Sequence, residues 1–145
     1  MRVGRPGRGR VRSRAAMPRV TRVSEHVDIE IPLHARHAST VRAVAAAVCA
    51  DLGFSVDAID DLRLGVNEAV AILADVDAPA DARLRITFAP SAEAVTVRAE
   101  RRGVEETVVD ADVDLLARRI LDHVVDEYSL DHGAFVLVKR NGPAD

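Results

Sequence analysis

"GFSVDAIDDLRLGVNEAVAIL", residues 53–73, is the stretch on which the fold turns. Ser55, followed by Asp57, reads as a helix start. The hydroxyl accepts from the free N–H groups of the first turn, and the carboxylate suits the positive end of the helix dipole. The periodicity predicts a helix running to about Asp75, with Ile59, Leu62, Val66, Ala69, Val70 and Leu73 as a core-facing stripe. Asp61, Leu64, Gly65, Glu68 and Ile72 form an adjacent stripe, because spacings of three and four share a face. Gly65 in mid-helix costs about 1 kcal/mol relative to Ala, so a packing reason is expected for it.

The flanking text supplies the surface that this helix must cover. Upstream, "EHVDIEIPL" alternates Val27, Ile29 and Ile31 against Asp28 and Glu30, the period of a half-buried strand closed by Pro32. "HASTVRAVAAAVCADLG" predicts a helix over about 37–52, carrying Val41, Val44, Val48 and Leu52, with Gly53 at the C-cap. Downstream, Leu84, Ile86 and Phe88 alternate in "RLRITFAP", and Val95, Val97 and Ala99 in "EAVTVRAE"; "PSAE" joins them as a hairpin. "VDLLARRILDHVVDEY" reads as a last helix with Leu116, Ile120, Val124 and Tyr128 toward the core. Residues 128–130 and "AFVLVKR" read as a closing strand pair around "DHG". The order β-α-α-β-β-α-β-β is not βαβ alternation. It predicts an α+β fold, a two-layer α/β sandwich with helices on one face of a mostly antiparallel sheet.

Composition sets the outer bounds. The chain has 145 residues, 48% hydrophobic and 3% aromatic, which suits one domain with a core of Val, Leu, Ile and Ala. No stretch approaches the roughly 20 apolar residues of a membrane span. A single cysteine excludes an internal disulfide, and the expected compartment is the cytoplasm. Cys49 lies on the first helix with no basic neighbour evident and reads as a small buried hydrophobe. Residues 1–22 hold eight Arg and no acid, which leaves 12 basic and 23 acidic residues from 23 on, a net of −11. The expected organisation is an Arg-rich disordered tail at 1–22, a domain at 26–140 and a short tail at 141–145. Three readings of the first segment stay open: a nucleic-acid-binding arm, a solvated tail, or an artefact of start-codon choice ahead of Met17. The acidic domain itself is a poor match for nucleic acid and suits a basic protein surface, or its charge simply keeps it in solution.

Searches for chemistry leave one pattern. There is no Gly-rich phosphate loop, and the five histidines show no metal spacing; His34 and His37 share a helix-start face without a third ligand. The text "GFSVDAIDDLRLGVNEAV" at 53–70, with its D-x-L-R-L-x-V-x-E-A run, resembles the anti-sigma factor and serine kinase group of the GHKL (Bergerat-fold, histidine-kinase-like) ATPases. The closing "LDHVVDEYSLDHGAFVLVKR" and the hairpin between extend the likeness over about residues 26–140.

The resemblance implies an ATP and Mg²⁺ site of three parts. A helix Glu activates the attacking hydroxyl, and an Asn four residues later holds the metal. An Asp-x-Gly after a strand reads the adenine amine, and a Gly-rich lid covers the phosphates. Glu68 matches the Glu, but the Asn position is Ile72, which cannot ligate a metal. "AERRG" stands where the Asp-x-Gly belongs, putting Glu100 or Arg101 at the Asp position and keeping only Gly103. Leu115, Leu116 and Ala117 replace the Gly-rich lid end. The expectation is therefore a vestigial base position at Glu68, no bound cofactor or metal, and action by binding. Glu68 itself is expected to be partly exposed, protonated or paired with an Arg, either as a polar helix-rim residue or in a retained contact role. By resemblance the partners are a sigma factor and a STAS-type antagonist, with a homodimer as the assembly and no membrane. An active serine kinase acting on the antagonist and nucleic-acid binding through the Arg-rich tail stay open as alternatives.

Overall fold

The computed structural model describes residues 25–74, 77–104, 114–131 and 133–142. The Arg-rich tail and most of the segment between Gly103 and Leu115, where the resemblance places the lid, lie outside the described residues. Five strands and three helices follow in the predicted order: β1 (Val27–Pro32), α1 (Ala38–Asp51), α2 (Val56–Leu73), β2 (Arg83–Pro90), β3 (Ala94–Arg102), α3 (Leu115–Val124), β4 (Glu127–Asp131) and β5 (Ala134–Arg140). The strands form one sheet in the order β1-β2-β3-β5-β4, and every neighbouring pair is antiparallel. The fold is α+β in two layers. One sheet face carries Ile31, Leu84, Ile86, Phe88, Val95, Val97, Ala99, Phe135 and Leu137 into a core shared with the helices. The other is laced by ion pairs among charged side chains, Arg85 with Asp28 and Glu100 with Arg98 and Arg102.

Local chemistry fixes the helix ends. Ser55 caps α2, its hydroxyl accepting from the Ala58 N–H at 3.2 Å. After α1, Gly53 takes a left-handed φ of 77°, and its N–H donates to the Ala50 carbonyl while that of Phe54 donates to the Cys49 carbonyl. That pair of bonds is the Schellman arrangement, which satisfies carbonyls the helix would leave orphaned. The helix α2 ends at Leu73, because Ala74 turns extended. The expected extension toward Asp75 fails there, and Asp75 itself lies outside the described residues.

The last helix corrects the sequence reading. Asp114 caps it, and its buried face is Ala117, Leu121 and Val124. Leu116 is 62% exposed and does not face the core, and Ile120 is only partly buried. A stripe drawn through Leu116 lies about 100° around the helix from the one the chain uses. The helix also stops at Val124, and Tyr128 belongs to β4, where it faces inward and stacks on Phe135 with centroids 6.2 Å apart.

The core contains Cys49, whose thiol burial pushes its pKa up to about 11, as suits a packed and unreactive side chain. A small void bounded by Val41, Val66, Ala69, Val70, Ile86, Val97, Ala99, Phe135 and Leu137 is wholly apolar. It is about the size of one water molecule and offers that water no polar partner.

Gly65 has the packing reason its position implied. A Cβ placed there would stand 2.8 Å from Cγ1 of Val125, a β-branched side chain with little freedom to retreat. Gly65→Val is therefore expected to destabilise the chain by about 1–3 kcal/mol in urea unfolding. Val125→Ala in the same chain should recover part of the loss; strictly additive effects would place the contact elsewhere. Tyr128 supplies a second check. Its hydroxyl is desolvated and donates to Asp122 at 3.0 Å, and both effects, together with the Asp122 charge, raise its pKa above 10 against a smaller opposing pull from Arg118. The stability this contributes is complete below the unfolded-state pKa and is lost as pH rises through the folded value. Tyr128 is the only Tyr and there is no Trp, so ultraviolet absorbance reads it directly. The native midpoint should exceed that in urea, and Asp122→Asn should narrow the gap without closing it, because desolvation remains.

Candidate functional site

The five positions of the α2 rim stripe have different fates, and Leu64 is exposed. Asp61 receives a hydrogen bond from Nζ of Lys139 at 3.1 Å. Gly65 meets Val125 as described. Glu68 is half-buried and makes no hydrogen bond or ion pair among the described residues. The partial exposure expected for it is found, and pairing with an Arg is not found among the described residues. Ile72 is partly buried and packed against the core cluster, which explains an apolar side chain there. Next to Glu68, Asn67 accepts a hydrogen bond from Arg42 of α1 and is thereby committed to joining the two helices.

At the strand end, the register decides between Glu100 and Arg101. Arg101 lies opposite the buried Leu84 and continues the inward row of Val95, Val97 and Ala99. Glu100 faces the other way, held by Arg98 at 3.6 Å and Arg102 at 3.2 Å. The residue presented to the helix layer is therefore the cation. Gly103 follows with φ 79°, and a Cβ on it would approach the Ala82 backbone to 3.4 Å, so that turn depends on glycine. Beyond it, Leu115 and Leu116 are exposed and Ala117 is buried against the core side.

Other candidates have local explanations. His34 and His37 both accept hydrogen bonds from Arg36, through its backbone N–H and its Nε respectively. Among the described residues no three His, Cys, Asp or Glu side chains converge as a metal site. No described helix is long and apolar enough to cross a membrane.

The fold positions two cations, of which the motif pattern reaches only Arg101, as one alternative beside Glu100. Lys139 is 14% exposed and donates to Asp61 and, at 3.0 Å, to the carbonyl of Val124. A single ammonium thus ties β5, α2 and the C-terminal end of α3, where a positive charge suits the dipole. Arg101 is the other. Both were legible by continuing the strand alternation one step past the last apolar residue. No protein-family model matches the chain, and no curated protein matches it.

The Lys139 tie predicts a measurable loss. Lys139→Met keeps the stem and removes three donors, leaving Asp61 and the Val124 carbonyl without this partner. With Asp61 well exposed to solvent, the expected cost is about 1–2 kcal/mol in denaturant unfolding. An unchanged midpoint would show that water replaces the ammonium without penalty.

Proposed function

We propose that this chain is an anti-sigma-factor-like regulator with the GHKL histidine-kinase-like fold, acting in the cytoplasm by holding a sigma factor through protein-protein contact. The observation that carries the reading is the pairing of a matching framework with an altered site. The order β-α-α-β-β-α-β-β and an antiparallel sheet with helices on one face agree with what the D-x-L-R-L-x-V-x-E-A helix implies. Within that framework the metal-ligand position is Ile72, packed on the core, and the adenine-reading position presents Arg101 to the helix layer. An Arg there repels the adenine amine, and Ile offers Mg²⁺ no oxygen.

Sequestration needs only a complementary surface, so it survives these changes. A net charge of −11 over residues 23–145 supports a basic partner surface and a fast, salt-sensitive encounter. Glu68 is then a carboxylate without chemistry, or a contact residue. A STAS-type antagonist and a homodimer belong to the same proposal by resemblance.

Two measurements test it. Affinity purification from the native cell should recover an RNA polymerase sigma subunit, and binding should weaken as salt rises. Calorimetric titration with Mg-ATP should show no micromolar binding. Micromolar affinity, with phosphate transfer to an antagonist serine abolished by Glu68→Ala, would replace this reading with that of an active kinase.

A further inference from the structure

The inward rows of β3 and β5 each end in a cation, and the fold treats the two differently. Lys139 follows Phe135 and Leu137; Arg101 follows Val97 and Ala99. In the antiparallel pair Val95 lies opposite Lys139 and Ala99 opposite Phe135, so the cations stand at opposite ends of the same two strands. At one end the charge is answered by Asp61 and the Val124 carbonyl. At the other, among the described residues, it is not. Nε of Arg101 is shielded from solvent and meets no acceptor, and its guanidinium has no ion pair among the described residues.

The neighbouring groups do not relieve it. Glu100 faces the opposite side of the sheet, and the unpaired Glu68 does not reach Arg101 as an ion pair. Gly133, with φ 76°, accepts a hydrogen bond from the Arg101 backbone N–H at 3.3 Å. A Cβ on Gly133 would sit 3.8 Å from Nε, at ordinary contact distance, so the Gly133 turn lies directly beside the guanidinium. An arginine cannot shed its proton, and a shielded N–H without an acceptor is costly.

We propose that Arg101 is an oxyanion-binding site, whose guanidinium fork takes two oxygens of a phosphoryl or carboxylate group at the Gly133 end of the sheet. The paired-oxygen geometry of such groups fits the planar fork. The site needs no Mg²⁺, and it does not rest on the sigma-factor reading. A single guanidinium anchor implies a dissociation constant on the order of 1 mM.

The test titrates the full chain with inorganic phosphate, and in parallel with acetate, against sodium chloride at matched ionic strength. The Arg101 side-chain Nε–H and the Gly133 amide are followed by NMR. A saturable shift in either arm supports the site; phosphate alone identifies a tetrahedral anion, and acetate a carboxylate. Arg101→Gln should abolish the Gly133 response, and Arg101→Lys, which keeps the charge without the fork, should weaken it at least fivefold. Arg98→Gln, on the open sheet face, should leave it within twofold. If the wild-type signals move no more than in sodium chloride, or if Arg101→Gln binds as tightly, the proposal is overturned and Nε is met by water.

Discussion

The close approach of α2 to Val125, open only because residue 65 has no side chain, sets the geometry of the helix layer. Gly65 brings α2 down beside the C-terminal end of α3 while Leu62, Val66, Ala69, Val70 and Leu73 bury against the sheet. The conformational cost of glycine in a helix, about 1 kcal/mol, is small beside the burial of those five side chains at roughly 1.5–3 kcal/mol each for the larger ones. The Lys139 ammonium then ties the same three elements electrostatically. The rim stripe of α2 is therefore mostly structural at its N-terminal half, and Glu68 is its one half-buried ionisable group without a partner.

An apolar row that ends in a cation is a recurring device at the margin of a two-layer fold. The stem of Lys or Arg extends the hydrophobic surface, and the head reaches for an anion or for water. In this chain the device appears twice on one strand pair. Lys139 has an acid across from it, and among the described residues Arg101 does not. Among the described residues this difference separates a strand end whose cation is held by internal contacts from one whose cation has no partner.

Much of the fold was readable in advance because its signals are local and mutually consistent. Ser55 and Gly53 punctuate the helices, and the alternation in β1, β2 and β3 agrees with one buried face. The errors fall where local pattern gives out. Leu116 was assigned to the core because it is apolar and sits in an amphipathic text, yet which stripe is buried depends on how α3 meets Gly65, Val124 and Val125, a tertiary matter. Tyr128 suits a helix end and a strand start equally, and its stack on Phe135 decides for the strand. The choice between Glu100 and Arg101 was open in a motif alignment and closed by parity: counting by twos from Val95 reaches Arg101. The bond between Arg42 and Asn67, 25 positions apart, had no signature at all, because neither side chain declares its partner by spacing.

The strand order carries a kinetic consequence. The hairpins β2–β3 and β4–β5 close over short turns, whereas β1 pairs with β2 across both helices, with Pro32 meeting Arg83. Loop-closure entropy rises with the logarithm of loop length, by about 0.6 kcal/mol for each doubling, so β1 is the strand with the least entropic advantage in early assembly. Among the described residues it is also at the sheet's edge, bonded on one side only. The strand β1 is thus one whose sheet neighbour is made much later, and it must wait for two helices to be synthesised and docked before its hydrogen bonds to β2 have somewhere to go.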